Sequence, residues 1–407
     1  MGGRRRVARP RRTVLGVIVA SLTALGLLTG LGVVLAYNNW NDNLEHPTII
    51  GKHRPDKKTE ALNILVMGTD SRDCEGCKID GEAGGGLSDT TILFHLSANR
   101  EFAYGISIPR DTAVMRPACY RSDESEIPAA TTYDKWNVAY QVGGPGCTRQ
   151  QLEQLTGIHV DNFVVVDFNQ FKDMVDALDG VEICVPEEID DTTGNIHLEA
   201  GTREVDGAEA LDYARVRYGI SGGIDPYRTR RQQALIGAMI DKALTGGMLA
   251  RPDRLASFIS AATTDLQTNF KSVAAMAKVA ASAQGIDAAD ITFITTPWTL
   301  DTDKVSGGVE WLPSVERLWQ LVIADQPLTK EFLADSLSAG DEPGGTAEPS
   351  GAASGSPSGS SSGSPSGSPA DQTSGSSTPS GSPGGTPTPG PSGGLSDDDR
   401  AAAGLCS

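Results

Sequence analysis

Positive charge is scarce in this 407-residue chain: 34 lysines and arginines stand against 52 aspartates and glutamates, a formal net charge of −18 at pH 7. Six of the arginines (4, 5, 6, 9, 11 and 12) fall in the first twelve residues, so the remainder is more acidic still. Such a remainder argues against nucleic acid as a partner and against attraction to anionic membrane surfaces. No glycine-rich loop ends in Gly-Lys-Ser or Gly-Lys-Thr, which disfavours an ATP-type phosphate cradle. No internal repeat is visible, which excludes a repeat architecture.

Charge of either sign is absent from Thr13 to Tyr37. As a helix that run spans about 37 Å, enough to cross a bilayer with some tilt. The positive-inside rule then leaves residues 1–12 as a basic cytoplasmic stub and exports everything after the membrane helix at 13–37. The competing reading is a cleaved signal peptide, because Val34-Leu35-Ala36 offers small or modest residues at suitable places; the length of the run favours an uncleaved anchor. A twelve-residue stub is too short for a helix-turn-helix. Residues 38–61 read as a linker and 62–327 as one extracellular α/β domain. From about Ser338 to Gly394 the chain is almost wholly Gly, Ser, Pro, Thr and Ala, and 338–407 is expected to be a disordered tail.

Six cysteines in an exported chain suggest disulfides before catalysis. Cys119 and Cys147 flank a polar loop and a helix and are expected to pair. Cys74 and Cys77 suit a local staple better than a zinc or redox site, because no second ligand pair stands near. Cys184, in the strand pattern of residues 181–185, reads as a buried free thiol, and Cys406 has no obvious partner.

Short apolar runs bounded by turn residues mark strands at 62–67, 90–96, 102–108, 163–166, 181–185 and 291–295. Helical patterns fill 150–155, 170–178, 208–217, 227–244, 252–262, 273–281 and 313–324. Several strands look buried on both faces, which points to a central mixed sheet covered by helices.

Against the acidic background, Arg215, Arg217, Arg228, Arg230 and Arg231 crowd into one stretch. Asp225-Pro226 offers an N-cap and a first-position proline for a second helix. On it Arg228 and Gln232 share a face near a helix N-terminus suited to phosphate, whereas Arg230 points elsewhere. The plainer alternative is a set of surface salt bridges with Asp212 and Glu209, but the exclusive use of arginine suits forked oxyanion recognition. Three strand ends carry further polar groups: Gly68-Thr69-Asp70-Ser71-Arg72, Ser88-Asp89-Thr90 and Pro109-Arg110-Asp111-Thr112. Singly, each acid reads as a turn residue or cap. Together with the arginines they suit a pyrophosphate, with two carboxylates for magnesium and guanidiniums for the remaining oxygens.

These segments, together with Asn137-Val138-Ala139-Tyr140, Gly143-Gly144, residues 164–168, Asp179-Gly180-Val181 and 207–217, occur in the order of the motifs of the LytR-CpsA-Psr family, which the chain resembles over about 62–244. The resemblance implies a three-layer α/β/α sandwich with a hydrophobic lipid pocket. It also implies the family's activity: transfer of a glycopolymer from a polyprenyl pyrophosphate carrier to peptidoglycan, making a phosphodiester, as a single-pass cell-membrane protein with its catalytic domain outside. Carried over by position, it gives Asp70 and Asp89 to magnesium, and Arg110, Arg215, Arg217, Arg228 and Gln232 to the pyrophosphate. Asp70, Arg110 and Asp111 form the catalytic group, with Asp70 or Asp111 as the candidate proton acceptor. The apolar stripe Leu235, Ile236, Met239 and Ile240 would meet the lipid, or serve as ordinary core. Two positions depart from the pattern: Leu87 stands where an arginine is usual, with Arg72 as a possible substitute, and Trp136 replaces an isoleucine. A lipid pyrophosphatase or a non-enzymatic envelope regulator remains as a rival function.

Overall fold

The computed structural model describes residues 11–47, 54–70, 86–218, 220–245, 248, 251–301, 303–341 and 394–406. The strands used below are β1 (Leu62–Thr69), β2 (Ser88–Leu96), β3 (Ala103–Ser107), β4 (Asn162–Asp167), β5 (Val181–Val185), β6 (Ile189–Asp191), β7 (Ile196–Leu198), β8 (Gly201–Val205), β9 (Gln267–Thr268), β10 (Ile291–Thr295) and β11 (Ser336–Ser338). The helices are α1 (Arg11–Asp42), α2 (Val138–Thr156), α3 (Phe168–Ala177), α4 (Gly207–Arg215), α5 (Asp225–Thr245), α6 (Pro252–Thr263), α7 (Val273–Ser282), α8 (Val315–Ile323) and α9 (Asp397–Ala403).

A seven-stranded sheet runs in the order β9-β4-β1-β2-β3-β10-β11. It is mixed: β1 is antiparallel to β2 and parallel to β4, while β3 is antiparallel to β2 and parallel to β10. Alternation along the strands sends Leu65, Met67, Leu93, Ile106 and Phe163 into one core with Leu152 of α2 and Leu318 and Trp319 of α8. Phe94 and Phe293 belong to a second cluster with Ile236 and Ile240 of α5. Helices therefore cover both faces, the arrangement expected for a sheet buried on each side. Trp136 is fully buried in the first core, its indole N–H donating to Thr91 Oγ1 at 3.2 Å.

Within α1, Ile18–Asp42 is long and apolar enough to cross a membrane. The helix does not give way to a loose linker after residue 37. Asn41 Oδ1 accepts from the Val273 N–H at 3.0 Å, Glu45 bridges to Gln267, and Trp40 and Leu44 pack with Ile259 and Met276. Part of the expected linker is thus helix and docking contact.

The far end of the chain differs from expectation as well. Ordered structure continues past Pro327 through β11, and residues 394–406 fold back on the domain. There α9 packs on α5, and Leu395, Ala403 and Leu405 are buried with Phe293 and Leu337. Cys406, expected to lack a partner, forms a disulfide with Cys184, which is therefore no free thiol; 222 residues separate them, too far for any local pattern to reveal. Cys119 is bonded to Cys147, with 5.3 Å between their Cα atoms. Cys74, Cys77, Arg72 and residues 342–393 lie outside the described residues.

Candidate active site

The polar side chains gather where the strands end. Gly68 lets β1 and β2 approach closely, since a Cβ there would stand 3.1 Å from Thr90 Cβ. The register between the two strands shifts just beyond it, between Gly68 and Thr69. The Leu87 N–H donates to Asp70 Oδ1 at 3.0 Å, fixing that carboxylate beside the start of β2, which carries Asp89. Arg110, in the loop after β3, forms an ion pair with Asp89 and lies 3.5 Å from Asp225 and 3.6 Å from Asp111. Burial works against its charge, but the three carboxylates outweigh burial and hold its pKa above the ordinary arginine value.

The second group of cations comes from α4 and α5. Between them, Gly222 and Gly223 adopt φ of +60° and +73°, a left-handed turn that few other residues allow. Arg215 ends α4 with its guanidinium 5.1 Å above the Phe168 ring and only a long contact, 3.9 Å, to Asp212. Phe168 is placed by a reciprocal cap at the start of α3: Asp167 Oδ1 accepts from the Gln170 N–H, and Gln170 Oε1 accepts from the Asp167 N–H, both at 2.9 Å. Arg228 donates to Asp225 Oδ1 through Nε at 3.1 Å and Nη2 at 2.6 Å, and to the Asp89 carbonyl at 3.1 Å. Asp225 is itself the first residue of α5, and its carboxylate serves these guanidiniums. No ion pair to Arg217 occurs among the described residues.

Asp70, Asp89, Arg110, Arg215, Arg217 and Arg228 line one cavity of about 410 Å³. Leu87 lines it as well, so that position adds no cation. A second cavity of about 340 Å³ shares Asp89, Phe168, Arg215 and Arg228 with the first. Its other walls are mostly apolar, with Val66, Phe94, Val166, Phe171, Met174 and Phe258 beside Leu235, Ile236, Met239 and Ile240 from α5, and Thr90, Asp167 and Gln232 as the polar exceptions. A polar chamber thus adjoins an apolar slot across a common wall.

Two candidates lie elsewhere. Asp111 is absent from the chamber wall; its Oδ1 takes the Lys135 ammonium at 2.8 Å. Gln232 lines the apolar slot, and its amide donates to the Ala214 carbonyl at 3.2 Å, tying α5 to α4. Two arginines of the cluster also have other employment. Arg230 pairs with Asp335 and approaches Asp399. Arg231, pulled down to about 10 by burial, donates to the Val216 carbonyl at 2.7 Å and the Ala403 carbonyl at 2.9 Å. Sequence reasoning missed Phe168, Phe171 and Phe258, and it missed Asp191, whose only local signal is the turn-forming run Asp190-Asp191-Thr192-Thr193-Gly194.

The donor set suits magnesium, which takes one or two carboxylates and completes its shell with phosphate oxygens and water. No group of three or more His, Cys, Asp or Glu side chains able to hold a metal occurs among the described residues, so an all-protein cage is not formed there. A cation between Asp70 and Asp89 would share Asp89 with Arg110.

The fold and site together place a guanidinium-rich chamber, chemically suited to a polyanion, beside an apolar slot. The chain belongs to the LytR_cpsA_psr family, whose model matches residues 34–322. It is 34% identical over 268 residues to a probable cell wall biosynthesis protein, LcpB, of Corynebacterium glutamicum, covering 64% of this chain and 60% of that one. To the polyisoprenyl-teichoic acid–peptidoglycan teichoic acid transferase TagV of Bacillus subtilis it is 30% identical over 221 residues, covering 53% of this chain and 51% of TagV. The chain therefore spans about half to three fifths of the length of these relatives. The solved LytR-Csp2A-Psr enzyme from Actinomyces oris shares the fold, with a TM-score of 0.52 at 19% identity over 68% of this chain and 96% of the enzyme.

Proposed function

We propose that this chain is a membrane-anchored phosphotransferase that moves a glycopolymer from a polyprenyl pyrophosphate carrier onto peptidoglycan, leaving the two joined by a phosphodiester. The observation that carries this reading is the shared wall of chamber and slot, because a lipid pyrophosphate needs both environments within one molecular length. The family membership and the name of TagV support it. The apolar span of α1 is long enough for a single pass through the cell membrane, and the arginine-rich first twelve residues support a domain on the outer side by the positive-inside rule.

Transfer needs little covalent work from the protein. A peptidoglycan hydroxyl oxygen attacks the sugar-linked phosphorus and bonds to it. The bond from that phosphorus to the bridging oxygen breaks, and polyprenyl phosphate leaves with that oxygen. Of the two carboxylates considered for the hydroxyl proton, Asp70 lines the chamber and Asp111 does not, so Asp70 is assigned that role. Arg215, with a 3.9 Å contact to Asp212, and Arg217, with no ion pair among the described residues, meet the charge that builds on the departing phosphate. Arg110 and Arg228 hold the chamber in shape through Asp89 and Asp225 and present their remaining donors to the other oxygens. Magnesium, held by Asp70 and Asp89 when bound, would supply further charge neutralisation. Leu235, Ile236 and Met239 would take the lipid chain, each buried methylene contributing about 0.8 kcal/mol.

The test incubates the full-length protein in lipid nanodiscs with a polyprenyl pyrophosphate-linked saccharide, peptidoglycan fragments and Mg²⁺, with products identified by mass spectrometry. Saccharide phosphate attached to peptidoglycan is the expected product. Release of saccharide phosphate without attachment would favour a lipid pyrophosphatase, and no turnover at all would favour a non-enzymatic role.

A further inference from the structure

Asp191 closes β6, where the β6–β7 hairpin reaches the chamber, and it is only 2% exposed. Its Oδ1 accepts from the N–H groups of Thr193 at 3.0 Å and Gly194 at 2.9 Å, within its own turn. Its Oδ2 accepts from the N–H groups of Arg217 at 3.2 Å and Tyr218 at 3.0 Å, in the loop after α4. A carboxylate has about four acceptor sites, and backbone donors use them here. The consequence is unusual for an anion on a guanidinium-rich wall. Asp89 and Asp225 each engage an arginine side chain, whereas Asp191 holds Arg217 by its backbone, and no ion pair to the Arg217 guanidinium occurs among the described residues.

The loop needs such a hold. Helix α4 stops at Arg215, and the next residues must turn sharply towards α5, so little regular structure fixes where Arg217 points. We propose that Asp191 is the positioning residue that sets Arg217 in the chamber and keeps its guanidinium available for a phosphate oxygen. This deepens the function proposed above and rests on it.

Asparagine at 191 keeps the volume but replaces one acceptor oxygen with an amide donor. Whichever way the amide turns, one pair of N–H groups loses its acceptor. The experiment titrates geranylgeranyl pyrophosphate into the full-length protein in nanodiscs by calorimetry, for wild type, Asp191→Asn, Arg217→Ala and the double variant. Each single change is expected to weaken binding at least about tenfold, and the double variant no more than the weaker single, because both act through one guanidinium. Independent, multiplying losses would mean that Asp191 does not act through Arg217, and wild-type affinity in Asp191→Asn beside a weakened Arg217→Ala would mean the same; either result overturns the inference. Undiminished binding in Arg217→Ala would instead remove the chamber reading, and the inference with it. Should Asp191→Asn fail to fold, Asp191→Glu keeps the acceptors but lengthens the arm. It is expected to bind with intermediate affinity and the same coupling to Arg217, and wild-type affinity there would overturn the inference.

Discussion

Arg228 uses Nε and Nη2 on Asp225 and Nη2 again on the Asp89 carbonyl, a pattern that needs a planar fork. Lysine keeps the charge and loses the fork, so Arg228→Lys is expected to lower kcat/KM about a hundredfold in the transfer assay. Arg230, two residues on, lies away from the chamber against Asp335 and Asp399, whose side chains are about half exposed. Arg230→Lys should therefore leave kcat/KM near wild type and cost roughly 0.5–1 kcal/mol of stability by denaturant melt. Equal catalytic losses in the two variants would mean that the cluster acts only through net charge. Helix periodicity alone separates these two residues. It does not reveal what Arg230 and Arg231 are for, because the Asp335 carboxylate is 105 residues away and the Ala403 carbonyl 172. Phe168 was hidden for a related reason: its stacking role depends on α3 starting beside the end of α4, a tertiary fact.

Helix α5 works on two levels. Its first turns carry Arg228 at the chamber, and later turns present Ile236, Met239 and Ile240 to the slot. The apolar spacing on this helix was legible, but whether the stripe was core or pocket was not, since both demand the same residues. Ile240→Glu places a charge in the apolar wall at a half-buried position. Its KM for a long-chain polyprenyl pyrophosphate substrate should rise at least about tenfold, while a short-chain analogue should be little affected. A second element-level prediction concerns the join between β2 and the end of α8. His95 is fully buried, with Nδ1 2.8 Å from Asn63 Oδ1 and Nε2 3.1 Å from Asp325 Oδ1, and its ring stacks on Tyr104. Burial pushes its pKa below 6.5, and the pull of Asp325 only partly offsets this. The unfolded chain therefore binds more protons than the folded one just below pH 6.5. The stability His95 confers is whole above that pH and is lost as the pH falls towards the folded pKa. Calorimetry should show Tm falling between about pH 7.5 and about pH 5.5. His95→Gln should flatten that slope, and an unchanged slope would assign the effect to other groups.

At the scale of the whole molecule, the mixed sheet and its helical cover were legible because buried strands and amphipathic helices declare themselves over short windows. The return of the C-terminal segment was not, since its contacts with α5 and its bond to Cys184 cross most of the chain. That bond predicts a simple outcome: after one proteolytic cut within residues 342–393, the two pieces should migrate together on a non-reducing gel and separate on a reducing one. Cys406→Ser should let them separate without reductant once the chain is denatured. The other end of the chain has a mechanical consequence. With Asn41, Trp40 and Leu44 fixed to the domain, α1 serves as a mount rather than a leash. If α1 crosses the bilayer as proposed, these contacts hold the chamber at a set height above it. Under the proposed function, that mount restricts transfer to acceptors lying next to the membrane.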